Sequence, residues 1–154
     1  MNIRIKYIEI EDEFTKDLSL QMRIERYIEN HFYPIIAIAK LVPTYLVGGS
    51  IRDLIMAKHP KDLDFVIIGN QNESIVLKLL AKFQIKYELN RFGGYKFEYH
   101  GIKVDLWVAE DLFSSMQYNV DGLYYDVNGR FLFSLTFDDF LKNGVRLINP
   151  ENNI

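Results

Sequence analysis

The residues best suited to chemistry lie in two short blocks near the middle of the chain. Tyr45 to Asp53 reads YLVGGSIRD, an apolar strand that leads into a diglycine turn and a short helix. Asp62 and Asp64 then open a second apolar strand. Side chains two apart on a strand share a face, so these two carboxylates should project together. Because clustered carboxylates are costly without a cation between them, the pair predicts a metal site.

The diglycine turn predicts an anion site beside this metal. Gly48 and Gly49 let the backbone approach a ligand closely, and the first N–H groups of the following helix lack intrahelical partners. Ser50 is expected either to cap that helix or to bond the same anion. Oxygen ligands beside a phosphate are typical of Mg²⁺, with Mn²⁺ as the alternative ion. Together the two blocks predict metal-dependent attack on a nucleoside triphosphate.

The same residues resemble a known family, the head domain of class II tRNA nucleotidyltransferases (CCA-adding enzymes) and bacterial poly(A) polymerases, in the DNA polymerase β-like nucleotidyltransferase superfamily. The family pattern is G-G-x-x-R-D, an apolar run, then D-x-D, and this chain has GGSIRD, LIM and DLDFVIIG. Further along, RFGGYKFEYHGIKVDLW resembles the segment with the family's third catalytic carboxylate, which falls on Asp105. An acidic side chain between the apolar Val104 and Leu106 also calls for a reason.

The resemblance implies how these groups share the work. Asp62 and Asp64 would hold two Mg²⁺ ions, and Asp105 would bind the catalytic one and help to deprotonate the attacking hydroxyl. Arg52 could contact phosphate or could instead tie its helix to a neighbouring strand. The candidate nucleotide-binding residues, with the pyrophosphate held at the turn, are Gly48, Gly49, Ser50 and Arg52.

The second half of the resemblance is weaker. It continues through residues 118–129 and 139–146, where the chain reads YNVDGLYYDVNG and DFLKNGVR. The family's threonine and asparagine fall on Asn119 and Asp121. Its two arginines and aspartate, which would normally help to hold the triphosphate, fall on Ser115, Met116 and Gln117.

Two other positions near the third carboxylate also depart from the pattern. Glu110 replaces the arginine that usually closes the strand, and Gly94 replaces the threonine of R-F-G-T. Triphosphate binding is therefore expected to depend on the diglycine turn, Arg52, the metal ions, or lysines such as Lys96 and Lys103.

Hydrophobic periodicity predicts the elements that position these residues. The predicted fold is α+β, a nucleotidyltransferase (polymerase β-like palm) fold with a mixed or antiparallel sheet and helices packed on one face. An N-terminal strand is expected before residue 15, and Asn128-Gly129 predicts a hairpin turn. The predicted helices are 17–32, 35–41, 50–57 and 73–83; the predicted strands are 44–47, 62–68, 85–89, 95–100, 103–108, 122–127 and 130–135.

Composition restricts the class of protein. A chain of 154 residues with 49% hydrophobic content predicts a single domain over 1–154 with a real core. Its motif-bearing part is about 44–149, an N-terminal strand and helix occupy 1–42, and the family's neck, body and tail domains are not expected. Zero cysteines exclude disulfide scaffolds and are compatible with a cytoplasmic location. The longest apolar run, 33–47, is interrupted by prolines and a lysine, so no membrane span is predicted.

Side chains outside the motif receive plainer interpretations. Trp107 should share a strand face with Asp105, where core packing is favoured over stacking on a base. His31, His59 and His100 are scattered in sequence and are interpreted as surface or core residues.

These features predict a nucleotidyltransferase that moves a nucleoside monophosphate from an NTP to a hydroxyl and releases pyrophosphate. A net charge of −3 argues against a broad grip on nucleic acid, so the expected acceptor is an RNA 3′ end, a small molecule or a protein. One alternative is a catalytically impaired nucleotide-binding or protein-interaction module. Another is the head subunit of a split RNA nucleotidyltransferase, with a protein partner supplying the missing RNA-binding parts.

Overall fold

The computed structural model describes residues 18–91, 93–112 and 123–134 as four helices and seven strands. A short 3-10 turn at Asn70–Asn72 precedes the last of the helices. The helices are α1 (Leu18–His31), α2 (Pro34–Leu41), α3 (Gly49–Ile55) and α4 (Glu73–Lys82). The strands are β1 (Thr44–Val47), β2 (Asp62–Ile68), β3 (Glu88–Leu89), β4 (Tyr95–Tyr99), β5 (Ile102–Ala109), β6 (Leu123–Asp126) and β7 (Phe131–Ser134).

All seven strands form one mixed sheet in the order β3-β4-β5-β2-β1-β6-β7. The central pair β2 and β5 is parallel, while the other pairings in the described part of the chain are antiparallel. The sequence-based expectation of an α+β fold with a mixed sheet is confirmed. The parallel pair matters most, because it aligns two strands that both carry carboxylates.

The main core lies between one face of the sheet and the helices. The described helices each contribute buried apolar side chains to it, and alternate residues of β2 supply Leu63, Phe65 and Ile67, all fully buried. Phe32, at the junction of α1 and α2, packs its ring 5.9 Å from that of Phe65 and 5.5 Å from that of Phe97. Packing on this face holds the strands in position, so part of the opposite face is available for a site.

The opposite face has a smaller apolar cluster, formed around Val47, Val66, Tyr124 and Phe133. The Tyr124 hydroxyl donates a hydrogen bond to the carbonyl of Leu112 at 2.9 Å. This cluster covers the β1, β6 and β7 part of the face. The carboxylates of β2 and β5 lie next to it on the same face, as the period-two alternation requires.

Helix α1 anchors the loop that leads into β2. Its buried stripe includes Ile24, Tyr27 and Ile28, which recur at helical spacing as predicted. The Tyr27 hydroxyl donates to the carbonyl of Pro60 at 3.1 Å, two residues before β2 begins. Pro34 occupies the first position of α2, where its missing N–H has no cost.

Three predictions of element bounds or turn length are wrong by more than one residue. The strand predicted at 85–89 is only Glu88–Leu89, because Gln84 has φ +57° and the Ile85 N–H still bonds to the Leu80 carbonyl. Helix α3 ends at residue 55, since Ala57 has φ +57°.

The third is the hairpin between β6 and β7. Its loop spans residues 127–130 rather than Asn128-Gly129 alone, and the residue with positive φ is Arg130. The Asp126 side chain shapes the loop by accepting the Gly129 N–H at 2.8 Å.

Several predictions lie outside the described residues. These are the N-terminal strand, the departures at 115–121 and the DFLKNGVR segment at 139–146. None of the described helices is long and apolar enough to cross a membrane.

Candidate active site

Asp64 and Asp105 are register partners on the parallel strands β2 and β5. Because register partners on neighbouring strands point to the same face, the two carboxylates lie side by side. Both side chains are partly exposed at this face, while their neighbours Leu63, Phe65 and Val104 are buried in the core. The structure thus brings together two of the three predicted catalytic carboxylates.

The two carboxylates belong to a row of side chains across the sheet. Lys96 on β4 is the register partner of Asp105, and Val47 at the end of β1 is the partner of Asp64. Neighbouring strands lie about 4.8 Å apart, so the row from Lys96 to Val47 spans about 14 Å. One side of the carboxylate pair is therefore basic and the other is the apolar end of β1.

Asp62, the third predicted carboxylate, lies one step along β2 on the same face. It is exposed at the start of the strand, and its register partner is Lys103. Its charge raises the pKa of both Asp64 and Asp105. Asp62 therefore acts electrostatically on the pair from the edge of the site.

Gly48 lies directly against the Asp64 carboxylate. Its φ is +75°, and a Cβ built on it would lie 3.2 Å from Asp64 Oδ2. Both the backbone conformation and the close approach favour glycine, as the diglycine turn predicts. The turn therefore forms a wall of the carboxylate site.

Arg52 brings a positive charge to this side of the site. A Cβ on Gly49 would lie 3.4 Å from the Arg52 Nη2 atom, so the guanidinium extends back along α3 to the turn. Its charge also lowers the pKa of Asp64. The turn, Arg52 and Asp64 thus form one contiguous group.

Of the two roles expected for Ser50, capping of α3 is wrong, while contact with a bound anion stays a prediction. The N-cap is Gly48, and Ser50 lies inside the first turn, only 3% exposed. Its hydroxyl donates to the Val47 carbonyl at 3.0 Å. Ser50 therefore ties α3 to the end of β1 and holds the diglycine turn closed.

The crowded carboxylates have raised pKa values. Burial raises the pKa of Asp64 to about 7, reinforced by the negative charges of Asp105 and Asp62 and opposed by Arg52 and Lys96. Burial also raises the pKa of Asp105, with Lys96 acting in the opposite direction. A cation bound beside these carboxylates would favour their ionised forms and lower their pKa values.

The donor set of this pair fits a hard divalent cation. Mg²⁺ is commonly held by one or two carboxylates together with waters and substrate phosphates. Asp64 and Asp105 supply that number of carboxylates at adjacent positions. Within residues 18–91, 93–112 and 123–134, no three acidic or imidazole side chains form a preassembled metal cluster. Asp62 would have to reorient to join the pair.

The two described departures from the family pattern have local explanations. A Cβ on Gly94 would lie 2.7 Å from the Asn90 side-chain nitrogen and 3.3 Å from the Trp107 Cβ, so a threonine would need a rearrangement there. The Gly94 N–H donates to Asn90 Oδ1 at 2.9 Å. Glu110 accepts a hydrogen bond from the Asn70 side chain at 2.6 Å.

The aromatic and imidazole side chains have structural contacts. Trp107 lies on the site face as predicted and packs against the cluster of Val47 and Val66. His31 stacks on Tyr27, with ring centroids 4.0 Å apart, and His59 lies 6.3 Å from the same ring. His100 packs edge-on against Tyr99 in the β4–β5 turn.

Sequence reasoning did not single out an open groove that adjoins the carboxylates on the side of Lys96. It has a volume of about 490 Å³ and runs over β3, β4 and β5. Its rim carries the charged side chains of Lys86, Glu88, Lys96, Glu98 and Lys103, together with Tyr87. The alternation of Lys86 with Glu88 was the available signal, but it places these residues beside Lys96 only once β3 is known to pair with β4.

One protein-family model matches part of this chain. The model of the poly(A) polymerase head domain matches residues 44–105, from β1 to Asp105. This match confirms the resemblance that the motifs predict and relates the segment to nucleotidyltransferases. A comparison with curated protein sequences found no match.

Solved structures show the same fold. A CCA-adding enzyme in complex with ATP is similar with a TM-score of 0.63 at 19% identity, covering 88% of this chain and 37% of that one. The Thermotoga maritima CCA-adding enzyme complexed with tRNA has a TM-score of 0.60 at 20% identity, covering 85% and 35%. A tRNA-processing enzyme in an apo form has a TM-score of 0.57 at 21% identity, covering 76% and 37%. The chain therefore spans little more than a third of these structures.

Proposed function

We propose that this protein transfers a nucleoside monophosphate from an NTP to a hydroxyl group and releases pyrophosphate. The observation that carries the proposal is the side-by-side placement of Asp64 and Asp105 on β2 and β5, against a glycine turn that leaves little room beside Asp64. The head-domain match over residues 44–105 supports the same chemistry.

Residues on the two sides of the carboxylate pair would have different roles in the reaction. Arg52 and the Gly48-Gly49 turn would bind the triphosphate, because they offer a cation and close backbone approach beside Asp64. Ser50 would hold the turn in place through its bond to Val47.

Asp105, on the other side, would accept the proton of the attacking hydroxyl at a carboxylate oxygen. The oxygen of that hydroxyl forms a bond to the α-phosphorus as the bond between the α-phosphorus and the pyrophosphate oxygen breaks. Asp64 and Asp105, with Asp62 after reorientation, would hold Mg²⁺ or Mn²⁺. The bound ions would neutralise charge on the attacking and leaving oxygens.

NTP and an RNA acceptor are the substrate classes we propose. Similar structures were solved with ATP and with tRNA, which supports both classes. The acidic net charge favours contact with only the end of an RNA chain. A cytoplasmic location would suit such a substrate.

Titration of non-hydrolysable NTP analogues with Mg²⁺ tests the site. Trp107 is the single tryptophan of the chain and lies two residues after Asp105 on the same face, so its fluorescence should report binding directly. The wild type should bind at least one analogue only when the metal is present. Asp64→Asn and Asp105→Asn should each weaken that binding at least tenfold.

A matched control separates the site from a general loss of charge. Glu29→Gln removes one carboxylate from the exposed surface of α1 and should bind the analogue as the wild type does. Absence of metal-dependent binding by the wild type would contradict the proposal and would favour a protein-interaction module without nucleotide chemistry.

A further inference from the structure

The sheet face that carries the carboxylate pair differs on the two sides of that pair along the strands. Toward the start of β2 and β5, the next side chains on this face are the exposed Asp62 and Lys103, which are register partners. In the other direction, one step beyond the pair, the register partners are Val66 and Trp107. The carboxylates therefore lie between a charged end and an apolar, aromatic end of the same face.

Trp107 brings an aromatic ring to the apolar end. The period-two alternation of a strand puts it on the same face as Asp105, about 6.6 Å farther along β5. The indole packs against the apolar cluster around Val66 but remains partly exposed, whereas Val66 is fully buried. A rigid ring that is supported by an apolar cluster and is still accessible is suited to stacking on a ligand.

Gly94 contributes to this accessibility from the side of β4. It comes immediately before β4, and a Cβ built on it would lie 3.3 Å from the Trp107 Cβ. The family pattern has a threonine at this position, and its side chain would lie against the tryptophan. Gly94 is held in the loop by its N–H, which donates to Asn90 Oδ1 at 2.9 Å. The loop thus approaches Trp107 closely without a side chain of residue 94 beside the ring.

The proposed function, on which this placement rests, gives the direction of the nucleoside. The pyrophosphate lies at Gly48 and Arg52, and the attacking hydroxyl arrives from the opposite side of the phosphorus, so the nucleoside extends along the strands. Over Asp62 and Lys103, a base would displace water from charged groups, which costs free energy. Over Trp107 it would cover an apolar surface and stack on a ring.

We propose that Trp107 stacks on the base of the bound NTP and gives the site a preference for purine nucleotides. The indole offers a flat apolar surface with a single N–H donor, so it cannot read the hydrogen-bonding pattern of a particular base. A purine covers more of the ring than a pyrimidine does, and stacking strength sets the preference. Trp107 therefore discriminates between two classes of base without taking part in the transfer.

Calorimetric titration with ligands that have or lack a base tests the inference. Non-hydrolysable analogues of ATP and CTP, and inorganic tripolyphosphate, are each titrated with Mg²⁺ into the full chain. The wild type should bind the ATP analogue more tightly than the CTP analogue. Trp107→Leu keeps an apolar side chain without a ring, and it should weaken binding of the ATP analogue about fivefold or more while tripolyphosphate binding changes by less than about twofold.

Two further variants and the wild-type fluorescence separate stacking from packing. Trp107→Phe retains a ring and should keep most of the affinity for the ATP analogue. Phe131→Leu removes a ring from the same apolar cluster on β7, three strands away from β2, and should bind every ligand as the wild type does. Because Trp107 is the single tryptophan, the ATP analogue should quench the fluorescence of the protein, whereas tripolyphosphate should not.

Three results would overturn the inference. These are equal affinity of the wild type for the ATP and CTP analogues, unchanged affinity for the ATP analogue in Trp107→Leu, and loss of tripolyphosphate binding together with analogue binding in that variant. The last result would show that the tryptophan only supports the structure of the site.

The same titrations distinguish a failure of the proposed function. A wild type that binds neither tripolyphosphate nor any analogue would contradict the proposed function and this inference with it. Analogue binding that depends on Trp107, in a protein that transfers no nucleotide, would support the stacking role and refute the proposed reaction alone.

Discussion

At the scale of single residues, Asp64 is the carboxylate of the site whose ionised form is least favourable. It lies beside Asp105, against Gly48, and within the electrostatic influence of Asp62. A carboxylate in such surroundings destabilises the folded protein when it ionises without a cation. A cation-binding site therefore explains this arrangement, whereas a purely structural role would leave its destabilising effect without compensation.

Asp64→Asn should stabilise the metal-free protein at neutral and higher pH. The pKa of Asp64 is about 7 in the folded protein against an ordinary value of 3.8, so the folded protein retains a proton that the unfolded chain loses. Its contribution to stability is complete below pH 3.8 and is lost as the pH rises through about 7. Above that range the variant should gain up to roughly 4 kcal/mol, since one pKa unit corresponds to about 1.4 kcal/mol.

Urea denaturation in chelator at pH 5 and pH 8 checks this prediction. The difference in unfolding free energy between the variant and the wild type should be larger at pH 8. Glu29→Gln, on the exposed surface of α1, serves as the control for a lost charge. Equal differences at the two pH values would show that Asp64 ionises normally.

Gly48→Ala should impair both stability and nucleotide binding. The positive φ costs an alanine about 1 kcal/mol, and the new Cβ would lie 3.2 Å from Asp64 Oδ2 and displace the carboxylate. Gly101→Ala is the matched control, because Gly101 has φ +87° but has nothing within 4 Å of its Cβ position.

Thermal unfolding and NTP-analogue titration separate the two effects. Both alanine variants should unfold at lower temperature, while only Gly48→Ala should lose nucleotide affinity. Equal nucleotide affinity in the two variants would mean that the approach of Gly48 to Asp64 has no role in the site.

At the scale of elements, the site depends on how β1, α3 and β2 are joined. The bond from Ser50 to Val47 closes the turn between β1 and α3, and the bond from Tyr27 to Pro60 fixes the start of β2. Both donors are buried and both acceptors are main-chain carbonyls at element ends. These bonds determine where Gly48 and Asp62 lie relative to Asp64.

Tyr27→Phe should destabilise the loop that leads into β2. Loss of the hydroxyl leaves the Pro60 carbonyl without this bond, which should cost about 1 kcal/mol of stability. Amide hydrogen exchange of residues 58–62 should accelerate more than that of β5. Tyr33→Phe is the control, since Tyr33 is 61% exposed, and equal exchange in both variants would contradict the anchoring role.

Elements with strong local signals could be predicted from the sequence. Strands β1 and β2 have the predicted bounds, because each is a continuous apolar run between turn residues. The strand predicted at 85–89 is mostly absent, since the extra turn after α4 depends on Gln84 adopting positive φ. The β6–β7 loop differs because Asp126 supplies a side-chain acceptor that the Asn-Gly signal does not reveal.

At the scale of the whole molecule, the two faces of the sheet have different roles. One face packs against α1 to α4 and provides stability, while the other is apolar over β1, β6 and β7 and charged over β5, β4 and β3. The carboxylate pair lies where these two regions meet. Such a boundary offers an apolar wall on one side and a groove rimmed by lysine and glutamate side chains on the other.

The placement of the site could be predicted only in part. Motif spacing indicated Asp62 and Asp64, and the family resemblance indicated Asp105, but the adjacency of Asp64 and Asp105 depends on the parallel pairing of β2 and β5 across intervening elements. The groove depends on the same strand order. Tyr27 was outside the predicted site because its partner, Pro60, lies 33 residues away.

The most direct measurement is transfer of radiolabelled nucleoside monophosphate from each NTP to a single-stranded RNA in the presence of Mg²⁺. The wild type should give a labelled product one or a few nucleotides longer, and Asp64→Asn or Asp105→Asn should lower the rate at least 100-fold. Glu29→Gln should retain the wild-type rate. Formation of labelled product by the two aspartate variants at the wild-type rate would contradict the assignment of the reaction to this site.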